Sequence, residues 1–231
     1  MQLDTITKFL NTFFQVERYN EEEQGGIYLP STRSIKRLGL ALEPWDGLYN
    51  WVKSQHIDAL FLHRPWKLDV EQLPPDIGVI SYHLPFDESL TLGFNTRLAD
   101  VLSLSNLEVF GEKQNRPIGM IGQAPNQSFT NICNCIKEIF NGYEQIRAAS
   151  ENEVKKVAVV GAMTDLLVRE AASHGVNVYI TGQLRQPATQ AVIDTQMSVI
   201  AVGHYRCEIW GLHTLASILQ QRWSKLYLVV R

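Results

Sequence analysis

Three histidines occupy the same kind of place in this chain. His63 follows the apolar run ALFL, His83 follows GVISY, and His204 follows VIAVG. A neutral imidazole can give a lone pair to a transition-metal ion or move a proton near neutral pH, so residues placed alike in this way are candidates for either chemistry. Acids follow two of them at equal spacing: Asp87 lies four residues after His83, and Glu208 four residues after His204. Spacing alone carries little. With 24 acids in 231 residues, six histidines meet about 0.6 such acids by chance. The shared position at the ends of apolar runs is the stronger signal, and two readings stay open: a nitrogen-rich metal cluster, or histidines satisfied separately. His56 and His174 fall near the ends of helical stretches, where an imidazolium suits the helix dipole. His213 sits inside the last helical stretch and reads as a packed or surface residue.

The elements that must hold these residues alternate between short apolar runs and helical stretches. GIYLP, RLGLALE, IDALFL, IGVISY, RPIGMIGQA, KKVAVVG, VNVYITG, SVIAVGH and LYLVV read as strands. Helical periodicity covers MQLDTITKFLNTFF, WDGLYNWVKSQ, NTRLADVLSL, SFTNICNCIKEIF, TDLLVREAASHG, ATQAVIDTQ and EIWGLHTLASILQQRW, with Ser128 a candidate N-cap. The alternation predicts an α/β fold with largely parallel pairing, as one domain over residues 1–231, compact and two-lobed. APNQS, residues 124–128, is the nearest thing to an internal joint. In open α/β sheets ligands bind at the carboxyl ends of strands, which is where His63, His83 and His204 fall. His204 and Glu208 would share one face of a first helical turn, whereas Pro85 is expected to keep His83 and Asp87 on a loop.

Composition narrows the function classes. A net charge of −3 and the lack of any Lys/Arg run argue against nucleic acid as a partner. No apolar stretch approaches the roughly 20 residues of a membrane span, and the first residues read as an amphipathic helix rather than a signal peptide. Cys133, Cys135 and Cys207 form neither a metal-type pair nor a disulfide framework, so reduced thiols and a cytoplasmic location are expected. VAVVGAMTD has one glycine where a dinucleotide-binding turn needs three.

FLHRP, YHLPFDESLTLGFNTRLADVL, VNVYITGQ and VIAVGHYRCEIWGLHTLASIL, taken together and in this order, resemble the Nif-three-like dinuclear metal-centre family. Its pattern is H-H-P after a strand, H-x-x-x-D followed by N-x-x-L-A, a V-x-x-x-T-G strand, and G-H-x-x-x-E. RPIGMIGQ is similar to the family's glycine-rich strand and turn, and the likeness runs from about residue 57 onward. Members often carry the label of GTP cyclohydrolase I type 2 homologues. The length resembles the short form, without an inserted middle domain. The resemblance implies a toroidal homohexamer around an internal cavity, and one or two divalent ions (Zn, Fe or Mn) per chain. It places the metal ligands on His63, Asp87, His204 and Glu208, with Glu208 bridging. It leaves His83 as an outer ligand or proton-transfer group, so His83 and Glu208 are the candidate catalytic residues.

Where the family has a second adjacent histidine, this chain has Arg64. A guanidinium has no lone pair to give a metal. It could instead sit between Asp87 and Glu208 and take the charge role of a missing cation, or point to solvent beside a decayed site. Cys207 is either a soft ligand or a filler. Gln183 and Asn177 stand where acids are common in the family, which would suit a site binding less cation. Trp66, Tyr205 and Trp210 either stack a planar substrate or pack in a core or interface. Three functions follow: a metal-dependent hydrolase acting on a small nucleotide-like or heterocyclic substrate, a non-catalytic metal-binding or interaction module, and an inactive scaffold whose acids Arg64 pairs.

Overall fold

A computed structural model describes residues 1–150 and 153–231. In chain order the elements are α1 (Leu3–Phe14), β1 (Gly26–Leu29), β2 (Arg37–Ala41), α2 (Leu48–Ser54), β3 (Ala59–Leu62), β4 (Gly78–Ser81), α3 (Leu84–Leu90) and α4 (Thr96–Val101). There follow β5 (Ser105–Val109), β6 (Glu112–Lys113), β7 (Arg116–Pro117), β8 (Gly119–Ser128), α5 (Phe129–Phe140), β9 (Gln145–Arg147) and β10 (Glu153–Val160). The last are α6 (Asp165–Ser173), β11 (Val178–Thr181), α7 (Thr189–Asp194), β12 (Ser198–Ala201), α8 (His204–Arg222) and β13 (Tyr227–Val230). The fold is mixed α/β.

The chain forms two compact units, one of Met1–Phe86 with Gly211–Arg231 and the other of Asp87–Trp210. The chain therefore passes between units inside α3 and inside α8. The joint expected at 124–128 instead lies within β8, which runs on for ten residues. Its register against β10 shifts opposite Pro125, a residue with no N–H to give a ladder.

The first unit holds a sheet in the order β1-β4-β3-β2-β13. β13, β2, β3 and β4 run parallel, and β1 is antiparallel to β4. The central strand β3 is a continuous apolar run because both its faces are covered: every one of its residues is buried. Leu48 and Val52 of α2 pack with Leu60, Leu62 and Val79. The apolar stripe of α1 recurs every three to four residues, Leu3, Ile6, Leu10 and Phe14, and all four are buried.

The second unit holds a sheet in the order β5-β8-β10-β11-β12-β9. Only β10, β11 and β12 run parallel; β8, β5 and β9 join antiparallel, so pairing is less parallel than the alternation suggested. Period-two side-chain direction splits the strands between two cores. Val157, Val159, Val178, Ile180 and Ile200 pack with α5, through Ile132, Ile136 and Phe140. Ala158, Val160, Tyr179 and Val199 pack with Val168 of α6 and Val192 of α7. Ser128 caps α5 as expected, its hydroxyl accepting from Asn131 N–H. β6 and β7 are joined by Gln114 and Asn115, both at positive φ, the backbone that closes a two-residue hairpin.

Candidate metal centre

β3 and β4 are parallel neighbours, so the residues leaving their carboxyl ends come out side by side. His63 directly follows β3, and His83 follows β4 after Tyr82. Their ring centroids are 4.9 Å apart. His63 is fully buried and leans on the Phe86 ring at 4.7 Å. Its Nδ1 lies 3.0 Å from the Tyr82 carbonyl oxygen. A carbonyl can only accept, so Nδ1 carries the proton and Nε2 is the lone-pair nitrogen. Metal-ligating histidines are oriented in this way, through the ring N–H that does not face the ion. Tyr82 is held in turn, its hydroxyl donating to Asn11 and its ring against Phe14 and Phe61. Burial pushes its phenol pKa well above the usual range.

Asp87 lies on a helix and not on the expected loop. Pro85 falls in the first turn of α3, where a missing N–H costs nothing and the fixed φ suits the helix. The proline starts the helix that it was expected to prevent. Because α3 follows directly on His83, it carries Asp87 back toward that residue. One ligand atom each from His63, His83 and Asp87 lies within 4.8 Å of the others. Around an ion with bonds near 2.1 Å, tetrahedral ligand atoms lie about 3.4 Å apart. Modest side-chain rotations would therefore close this group on a cation, and two imidazoles with one carboxylate suit Zn, Fe or Mn.

His204 and Glu208 lie in the first turns of α8, four residues apart as expected. Two glycines lie beside this turn. Gly203 enters the helix at φ +101, a conformation that L side chains rarely adopt. At Gly182, just past β11, an added Cβ would meet Cε1 and Nδ1 of the His204 ring at 3.0 Å. The glycine of the T-G pair thus leaves space for an imidazole, a role invisible in the sequence. Cys207 packs in the α5-side core of the second unit. Burial first, then the Glu208, Asp87 and Glu144 carboxylates, push its thiol far up, and its packing is that of a core filler. The same three acids therefore lie within electrostatic reach of one sulfur, and Glu144 is one that the motif pattern did not mark.

Arg64 makes an ion pair: its side chain is 21% exposed, with Nε 3.5 Å from Oε2 of the exposed Glu43, an acid that the sequence did not single out. Trp210 packs on Phe140, ring centroids 5.8 Å apart. Trp66 and Tyr205 lie outside the cores, being 67% and 68% exposed. Trp66 stands edge-on to His83 at 5.1 Å. Asn177 precedes β11 and so lies at the strand's far end from Gly182. Its side chain accepts from Lys155 N–H and donates to the Glu153 carbonyl. It works as a local turn clamp, away from the strand ends that carry the candidate ligands.

With this geometry in view, comparison with known proteins is decisive on one point. The family model Duf34/NIF3 (NGG1p interacting factor 3) matches residues 67–230. The chain belongs to the Duf34/NIF3 family. A protein named GTP cyclohydrolase 1 type 2 homolog, from Pyrococcus horikoshii, is 26% identical over 97% of this chain and 95% of its own length. Among solved structures, protein ybgI, described as of unknown function, matches with TM-score 0.80 at 18% identity, over 100% of this chain and 98% of its own. Reduced HcgD from Methanocaldococcus jannaschii matches with TM-score 0.75 at 22% identity, over 100% and 97%. These structures share the Duf34/NIF3 chain's fold. Among its described residues, no helix is long and apolar enough to cross a membrane.

Proposed function

We propose that this Duf34/NIF3 chain is a metal-dependent hydrolase acting on a small nucleotide-like or heterocyclic substrate. One observation carries the reading: His63, His83 and Asp87 converge within 4.8 Å, with one imidazole already oriented through Nδ1. His63, Asp87, His204 and Glu208 are the proposed ligands. A bound divalent ion would supply a water of lowered pKa as nucleophile. The protein's own part is to hold and deliver. Tyr82 keeps His63 in the Nδ1–H tautomer and Asp87 contributes anionic charge. His83, the exposed member of the group, is placed to carry a proton between the site and solvent. The name of the Pyrococcus relative makes a purine compound one substrate to try. Assembly as a hexamer and a cytoplasmic location belong to the same proposal, through family likeness.

Arg64 favours a second reading in which the centre binds metal without turnover, because the guanidinium removes a nitrogen ligand and adds positive charge. Elemental mass spectrometry on protein reloaded with Zn, Mn and Fe separates the two. The hydrolase reading expects about one ion per chain in the wild type, about two in Arg64→His, and none in His63→Ala, with turnover of a phosphoester and purine panel following occupancy. Metal retained without turnover in both loaded forms supports the non-catalytic reading. Equal metal in the wild type and His63→Ala removes the centre altogether.

A further inference from the structure

The first unit carries a second concave feature, at the other end of its sheet. A groove of about 380 Å³ is lined by Met1, Ile35, Lys36, Arg222, Trp223, Ser224, Lys225 and Leu226. Lys36 immediately precedes β2 and Leu226 immediately precedes β13, and these strands run parallel to β3 and β4. The groove thus lies at the amino ends of β2 and β13, at the edge of the sheet where its parallel strands begin, whereas His63 and His83 lie beyond the carboxyl ends of β3 and β4. With four-residue strands at about 3.3 Å per residue, at least about 13 Å separates the two places.

The lining contains three cationic side chains and no acid, in a chain whose net charge is −3. Among the described residues no ion pair ties Lys36, Arg222 or Lys225 to a carboxylate. The acid that touches this segment, Asp58, is already engaged: it accepts from the N–H groups of Lys36 and Arg37 and pairs with Arg33 at 3.1 Å. A helix C-terminus accounts for one of the cations, since Arg222 ends α8 and complements its dipole. It does not account for Lys36, which comes from the β2 side, nor for Lys225, beyond the helix. The walls are pre-formed. Met1 and Ile35 exchange backbone hydrogen bonds of 2.7 and 3.0 Å, Tyr227 N–H donates to the Lys36 carbonyl, and Phe9 holds the half-buried Trp223 ring edge-on at 5.2 Å. The Arg222 guanidinium stands 5.9 Å from that ring.

We propose that this groove is an accessory anion site that binds a small ligand carrying a multiply charged oxyanion, with Lys36, Arg222 and Lys225 as its recognition residues. Three cations lining one groove answer the charge of a di- or triphosphoryl or polycarboxylate group better than that of a single phosphate. The site is independent of the metal centre and stands or falls without it.

Isothermal titration of the full chain with pyrophosphate, at about 150 mM salt so that distant charge is screened, tests this, with intrinsic tryptophan emission as a second readout. The wild type is expected to bind saturably with one ligand per chain. Arg222→Gln/Lys225→Gln is expected to weaken binding at least tenfold. Lys113→Gln/Lys137→Gln removes equal charge from residues outside the groove and is expected to change affinity less than twofold. Citrate and orthophosphate arms tell a polycarboxylate from a phosphoryl preference. Circular dichroism confirms that each variant folds, and Lys36→Gln, off the helix, repeats the test if the double variant does not. No saturable binding of pyrophosphate or citrate, or equal weakening by both double variants, overturns the proposal.

Discussion

Breaking the buried ion pair next to Asp87 should unfold the protein at a markedly lower temperature. Arg116 on β7 is 3% exposed and Glu88 on α3 is 12% exposed, with Nε–Oε2 at 2.9 Å and a second bond from the other guanidinium nitrogen at 3.3 Å. Replacing Glu88 by Leu leaves a guanidinium in the interior without that carboxylate, and such losses cost about 3–5 kcal/mol. Gln114 still accepts from Arg116 at 3.0 Å, which moves the expectation to about 3 kcal/mol. For a chain of this size each kcal/mol is worth about 2–4 °C, so melting should fall by about 6–12 °C. Glu88→Leu/Arg116→Met, which removes both charges, should recover most of the loss. Differential scanning calorimetry with urea titration measures both. A single variant within about 1 kcal/mol of wild type, or a double variant no better than the single, would refute the view that the pair is desolvated and mutually dependent.

Two further outcomes are expected. Gly182→Ala pushes a methyl against the His204 ring at 3.0 Å and should weaken metal retention about 10-fold or more, as loss of an orienting neighbour does; unchanged metal content in chelator competition would separate Gly182 from the centre. Burial pushes the Cys133 thiol from 9.0 up to about 11. Because the folded value is the higher one, its contribution to stability is complete below about pH 9 and is lost as pH rises through about 11. Urea midpoints across pH 8–11 should therefore fall, and Cys133→Ala should fall less steeply; parallel curves would remove burial of this thiol as the cause.

Much of this was readable before the fold was known, for identifiable reasons. β3 and β4 announce themselves as apolar runs because both faces are covered, and His63 and His83 then mark their ends. Ser128 was legible as a cap because capping is a local bond. Pro85 misled because its meaning depends on whether it falls in a first turn or deeper in a helix. β9 reads QIR and the β6–β7 hairpin is built of charged and polar residues, so neither shows an alternation to recognise. Arg64 meets Glu43, and Asn177 clamps Glu153 and Lys155. These partnerships are set by chain paths that no local pattern encodes. The space that Gly182 leaves for His204 is likewise a property of two segments brought together.

The order of β13 in the chain has a consequence for how the protein is made. β13 forms the outer edge of the first unit's sheet, beside β2, yet all of Asp87–Trp210 is synthesised between them. During translation the second unit can complete its own sheet while β2, four of whose five residues end up buried, still waits with one backbone edge bare. A bare, apolar edge is a template for pairing with another chain. The nascent protein is therefore most exposed to misassociation late, after most of its mass has folded, and loss of the short segment Tyr227–Val230 should harm solubility far out of proportion to its length.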